Sequence, residues 1–118
     1  MRVKVTTDLR GIERRGREGA ERGTLLAAEH VLTESRRMVP LEEGTLERSG
    51  RVDADGLVAA VSYGGGDPEL DVVAVVQHER LDYQHAPGRK AKYLESTMLA
   101  EADTVRDIIA TEVRRALR

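Results

Sequence analysis

The chain lacks the residues that several kinds of function require. Its 118 residues include no Cys, no Trp and no Phe, and only three Tyr. Without Cys there is no disulfide bond and no thiolate metal site. No apolar run reaches the roughly 18 residues that a membrane span needs, and Met1 to Arg10 lack the apolar stretch of a secretory signal. We therefore predict a soluble protein that acts where it is made, or in a particle built there.

The shortage of aromatic residues also limits the core. The chain has the length of one domain, so we treat residues 1–118 as a single unit. Much of the apolar 40% is Ala and Val, and 34% of all residues are charged. The apolar area that each residue can bury is therefore modest. Association with other subunits would compensate for such a core.

Charge is distributed unevenly along the chain. Residues 1–40 carry nine basic and six acidic side chains, residues 41–79 carry two and nine, and residues 80–118 carry eight and six. The middle third is therefore acidic and both ends are basic, although the whole chain is only −2. An acidic surface of one molecule can meet a basic surface of a neighbour, and such a head-to-tail contact can close into a ring. A solvated surface of mixed charge accounts for the same pattern equally well.

The first third of the chain predicts one long helix. Asp8 can cap it, and apolar residues recur at near-helical spacing as far as Met38, which predicts a helix over residues 8–38. Its first half contains four glycines, each costing up to about 1 kcal/mol relative to Ala. That half is expected to fray, to bend, or to form only against a partner. Pro40 ends the helix because it disfavours helical geometry at Val39.

The remaining segments predict a small sheet followed by a second helix. Residues 51–54 and 57–63 read as two strands around an Asp-Gly turn, and residues 71–78 fit either a buried strand or a short helix. Apolar spacing from about Arg89 to the end predicts another long helix. The expected fold class is α+β, with a long N-terminal helix and a C-terminal helix packed on one face of a small antiparallel sheet.

The histidines are the first candidates for a chemical site. His78 and Glu79, with His85 downstream, are residue types that zinc prefers, but the metalloprotease pattern needs a second His where Asp82 stands. We predict hydrogen-bonded loop histidines there, and no metal or cofactor; a metal hydrolase is the least favoured alternative. His30 is predicted to be a partly exposed surface residue, because no residue nearby on its helix face is expected to complete a site.

Other chemistry has no visible location in the sequence. A Ser/His/Asp elbow and a dinucleotide fingerprint are both missing, so we expect no enzyme activity. The flexible Gly-Gly-Gly-Asp-Pro loop lacks the Lys of a phosphate-binding loop. Acidic residues alternate with the arginines of the first helix, which favours a solvated face. A small nucleic-acid-associated or regulatory helical module that uses those arginines is the alternative function.

The segment at the close of the first helix is more specific. Residues 38–49 read Met-Val-Pro-Leu-Glu-Glu-Gly-Thr-Leu-Glu-Arg-Ser. This resembles the head-to-tail joining (neck), minor capsid and tail-completion proteins of tailed bacteriophages, in particular siphophages. In that family a Val-Pro pair ends a helix, a polar turn with Gly-Thr follows, and an Arg-Ser pair leads into the first strand. The matching residues are Pro40, Gly44, Thr45, Leu46, Arg48 and Ser49.

A second segment resembles the same family's later signature, in which Val-x-His-Glu is followed by a His, a Gly and a Lys-Tyr-Leu that opens the last helix. The matching residues are His78, Glu79, His85, Gly88, Lys92, Tyr93 and Leu94. The family's usual Tyr-Ala pair is replaced by Val73-Ala74, which leaves Tyr63, or no residue, for the aromatic role. The resemblance covers about residues 24–118.

The resemblance implies a structural subunit of the virion's head-to-tail connector. Such a subunit forms a homo-oligomeric ring, with six copies favoured over twelve, and acts by contact with other neck proteins and the tail terminator or tail tube. DNA passes through the ring without specific binding, and neither a membrane nor a small-molecule substrate is involved. The motif residues and the loops Leu41–Ser49 and Gly64–Leu70 are the expected contact regions.

Overall fold

The computed structural model of the chain describes residues 9–38, 49–64, 72–77 and 92–118, which form an α+β fold as predicted. The long first helix and the hairpin occur where the sequence predicts them. In chain order the elements are α1 (Leu9–Arg36), β1 (Arg51–Asp55), β2 (Val58–Tyr63), β3 (Val72–Gln77), α2 (Lys92–Ala100) and α3 (Ala102–Ala116).

The sheet is antiparallel, with the strands in the order β1-β2-β3. Gly56 stands at φ +60° in the turn between β1 and β2, a backbone conformation that glycine adopts without strain. The segment that fitted either a strand or a helix is a strand, because β3 pairs with β2 along its whole length, from Val58 opposite Gln77 to Tyr63 opposite Val72. Pairing with β2 decides what the local sequence left open.

The core lies between α1, the inner face of the sheet and the C-terminal helices. As the composition predicts, its members are mostly small aliphatic residues, and Tyr63 is the largest fully buried side chain among the residues whose burial is described. The core residues are Ala27, Ala28, Val31, Leu32, Ala59, Val61, Tyr63, Val76, Leu94, Met98, Val105 and Ile109.

The glycine-rich half of α1 packs against α3. Gly19 and Gly23 are buried, and the two helix backbones approach so closely there that an added Cβ would clash. A Cβ at Gly19 would lie 2.7 Å from the Glu112 carbonyl oxygen, and one at Gly23 would lie 2.7 Å from Ile109 Cα. The half of the helix expected to be weak therefore has its partner within the same chain.

The C-terminal helix is interrupted, which the apolar spacing did not predict. Glu101 has φ −103° and ψ 10° and separates α2 from α3. The two helices then differ in what they cover: α2 contributes Leu94 and Met98 to the core beside the sheet, whereas α3 packs mainly along α1. Only part of the C-terminal region therefore packs on the sheet. Among the described residues, no helix is long and apolar enough to cross a membrane.

Candidate functional site

The end of α1 is joined to the sheet at one place, which we call the joint. Arg36, the last residue of α1, donates a hydrogen bond from Nη2 to the Gly50 carbonyl oxygen at 3.1 Å. Gly50 directly precedes β1, and the first residue of β1, Arg51, pairs with Ser62 near the end of β2. The joint is thus the end of the sheet where α1 and β2 finish and where β1 starts.

A buried pair of hydroxyl groups stabilises the joint. The Tyr63 and Ser35 side chains are fully buried, and their hydroxyl oxygens lie 2.6 Å apart. The Ser35 hydroxyl also donates to the Leu32 carbonyl oxygen at 2.9 Å. Gly50 makes room for the ring, since a Cβ there would lie 2.7 Å from Tyr63 Cε1. Tyr63 therefore holds the helix on the sheet from inside the core.

A second hydrogen bond brings together the borders of the two predicted contact loops. The Gly64 backbone N–H donates to Ser49 Oγ at 2.8 Å. Ser49 closes the loop that begins at Leu41, and Gly64 opens the loop that runs to Leu70. Val72, the first residue of β3, pairs with Tyr63 and therefore also lies at this end of the sheet. Both stretches therefore leave the described residues at the joint.

The family-like residues divide between the core and stretches outside the described residues. Ser49 lies at the joint. Tyr63 and Leu94 are buried, so their side chains stabilise the core and are not exposed on the surface of the single chain. Lys92 and Tyr93 form the first turn of α2. The others lie outside the described residues: Pro40, Gly44, Thr45, Leu46, Arg48, His78, Glu79, His85 and Gly88.

The opposite end of α1 carries an arginine groove. Arg10, Arg14 and Arg17 follow helical spacing and line an open cavity of about 610 Å³ together with Glu13 and with Leu57 from the hairpin turn. Three basic side chains and one acidic side chain leave the lining with an excess of positive charge. Within the described residues, no ion pair neutralises these three guanidinium groups. The groove lies near the start of a helix of 28 residues, which spans about 42 Å at 1.5 Å per residue.

His30 lies in a cluster that sequence reasoning missed. It is only partly exposed, as predicted, but the expectation that no residue would complete a site with it is wrong. The carboxylates of Glu34 and Glu101 accompany the imidazole, and one potential ligand atom from each residue lies within 4.8 Å of the others. His30 Nε2 is 2.8 Å from Glu101 Oε1. The spacing of His30 and Glu34, one helical turn apart, was the signal available in the sequence.

Exposed apolar side chains occur towards both ends of α1. Leu9, at its start, is 65% exposed. Met38, just beyond its end, is 52% exposed, although its Sδ accepts a hydrogen bond from Thr97 Oγ1 at 3.6 Å. Leu99 on α2 is 72% exposed. Single exposed apolar side chains of this kind are common on protein surfaces and do not by themselves indicate an interface.

Comparisons of the chain with models of protein families, with curated proteins and with solved structures found no match. Function is therefore inferred from the residues and the geometry described above.

Proposed function

We propose that this chain is a structural subunit of a tailed-phage head-to-tail connector, which forms a homo-oligomeric ring and acts by contact rather than by chemistry. Six copies are favoured over twelve. The ring would belong to the virion neck and would contact other neck proteins and the tail terminator or tail tube. The two segments that resemble neck proteins, residues 38–49 and 76–95, motivate this proposal.

The observation that carries the proposal is the placement of opposite charge towards the two ends of α1. The arginine groove lies near the start of α1. Both predicted contact loops leave the fold at the joint, beyond its other end, and they are acidic: residues 39–48 hold three Glu and one Arg, and residues 65–71 hold two Asp and one Glu. The acidic loops of one subunit can thus meet the arginine groove of the next.

This arrangement favours a head-to-tail contact over a symmetric dimer. Two different surfaces towards opposite ends of a subunit form a heterologous interface, which generates a closed ring when the rotation between neighbours allows it. Charge complementarity selects the partner surface and sets the register. The small core of mostly small aliphatic residues agrees with a subunit that gains stability by association.

Light scattering across salt and protein concentration tests the proposal. We expect a discrete hexamer or dodecamer at low salt and smaller species as the salt concentration rises, because exposed charges are screened. Reversing the charge of one loop with Glu42→Lys and Glu43→Lys should abolish the ring. A wild-type chain that stays monomeric at every concentration and salt would contradict the proposal.

A matched charge change on α3 serves as the control. Asp103 and Asp107 are exposed on α3 and are not among the residues that form the joint. Asp103→Lys with Asp107→Lys makes the same change in net charge as the loop reversal. This variant should retain the ring. If both double variants lose it equally, net charge rather than the acidic loop governs association.

The arginine groove also favours a second candidate, a small nucleic-acid-associated or regulatory binding module. In the part of the chain that the structure describes, these three guanidinium groups form no ion pair, so they can contact phosphates even though Glu13 also lines the groove. In that case the purified protein would shift DNA in a gel, with an affinity that falls steeply as salt increases. The loop reversal at Glu42 and Glu43 would leave that shift in place, which separates this function from ring formation.

A further inference from the structure

The cluster of His30, Glu34 and Glu101 has the donor set of a metal site. It joins one imidazole and two carboxylates from both ends of the chain, and the three residues are partly buried. We propose that this cluster binds one Zn²⁺ ion and fastens α1 to the break between α2 and α3. The proposal is independent of the connector function.

The spacing of the donors fits one ion. His30 and Glu34 stand on successive turns of α1, so their side chains share one face of the helix. Donors bound to one tetrahedral Zn²⁺ at 2.0–2.2 Å lie about 3.4 Å from each other. In the cluster the His30–Glu101 distance is 2.8 Å and no donor pair exceeds 4.8 Å. These distances bracket the required value, so small side-chain rotations can complete the geometry.

Glu101 is directed to the cluster instead of to its own helix. It occupies the N-cap position of α3, yet its side chain makes no capping hydrogen bond. Its carboxylate instead contacts His30. The backbone of Glu101 is held on both sides, since its N–H donates to the Thr97 carbonyl and its carbonyl accepts from Val105 N–H, each at 2.8 Å. These backbone hydrogen bonds therefore fix the position from which the Glu101 carboxylate reaches His30.

The donor chemistry selects zinc over the hard cations. Mg²⁺ and Ca²⁺ prefer oxygen ligands alone, whereas Zn²⁺ accepts imidazole and carboxylate together. Two carboxylates match the charge of a divalent ion, and a water molecule can fill the fourth position. Arg37 also pairs with the Glu34 carboxylate, at 3.5 Å. Its side chain is 73% exposed, so this ion pair is weak and competes little with a metal ion for Glu34.

Isothermal titration of the full chain, without an affinity tag, with Zn²⁺ alone tests this site. We expect one ion per chain and a higher melting temperature in its presence, because an ion that binds only the folded state stabilises it. His30→Ala and Glu34→Gln should each weaken binding by about 100-fold or more, since loss of a ligand exceeds the 10–100-fold effect of losing an outer-shell partner. Mg²⁺ should give no comparable signal.

Two variants distinguish this site from zinc binding by the other histidines of the chain. Glu34→Gln removes a donor without touching the His30–Glu101 contact, so it tests the site even if His30→Ala impairs folding. His78→Ala combined with His85→Ala removes the other two histidines and should leave Zn²⁺ binding intact. The proposal is overturned if the wild-type chain binds no Zn²⁺, or if binding survives Glu34→Gln and is lost in the His78/His85 variant.

Discussion

The two halves of α1 contact their neighbours in opposite ways. In the first half, Gly19 and Gly23 let the backbone of α3 approach until no Cβ would fit. In the second half, side chains such as Val31 and Ser35 fill the space between the helix and the sheet, where Ser35 meets Tyr63. The first contact requires that Gly19 and Gly23 have no side chain, whereas the second requires the side chains of Val31 and Ser35. Adding an atom at Gly19 or Gly23 should therefore destabilise the fold, and so should removing a side-chain atom at Ser35.

Adding one methyl group to the glycine contact should have the largest effect. A Cβ at residue 19 would lie within 2.9 Å of three atoms of α3, two of them in the backbone, and overpacking of this kind costs about 1–3 kcal/mol. We expect Gly19→Ala to lower the free energy of unfolding by about 2–3 kcal/mol, because backbone atoms cannot rotate away. Urea denaturation followed by circular dichroism measures the change.

Gly23→Ala should act in the same direction, since its Cβ would meet Ile109 Cα at 2.7 Å. A gain in stability at either position would show that α3 shifts freely along α1. The close helix contact would then not be a stable part of the fold.

Removing one oxygen from the side-chain contact should have a smaller effect. Tyr63→Phe keeps the ring in the core but deletes the hydroxyl that lies 2.6 Å from Ser35 Oγ. A buried hydrogen bond contributes about 1 kcal/mol, so we expect the free energy of unfolding to fall by about that amount. A double-mutant cycle with Ser35→Ala measures the coupling. Additive effects of the two changes would mean that the hydroxyls do not stabilise one another.

Much of the fold could be predicted from local sequence. Helical spacing and Pro40 predicted the extent of α1, and the Asp-Gly turn predicted the hairpin, because these signals act within a few residues. The choice between strand and helix for the segment that contains β3 depended on pairing with β2, which the structure shows for Val72–Gln77. The break at Glu101 and the use of the glycines as a contact surface depend on packing between distant segments. The spacing of residues along the sequence therefore does not predict the break or the glycine contact.

The candidate zinc site shows the same limit. His30 and Glu34 are four residues apart and could be paired on one helix face from the sequence alone. Glu101 is 71 residues away from His30, and only the packing of the C-terminal helices on α1 brings it there. Conversely, the motif segments stand out in the sequence, but most of their residues lie outside the described residues. Their part in ring formation stays a prediction.

The smallest expected effect is a gain in stability, and it comes from a glycine of α1 that lies farther from α3. Gly16 lies on the same helix as Gly19, but its Cβ would be 3.8 Å from Leu117 Cδ2, an ordinary van der Waals distance. Ala is favoured over Gly in a helix interior by about 0.5–1 kcal/mol because it restricts the unfolded chain. We therefore expect Gly16→Ala to raise the free energy of unfolding by about that amount. A loss similar to that of Gly19→Ala would mean that the close approach of α3 extends a further turn towards the start of α1.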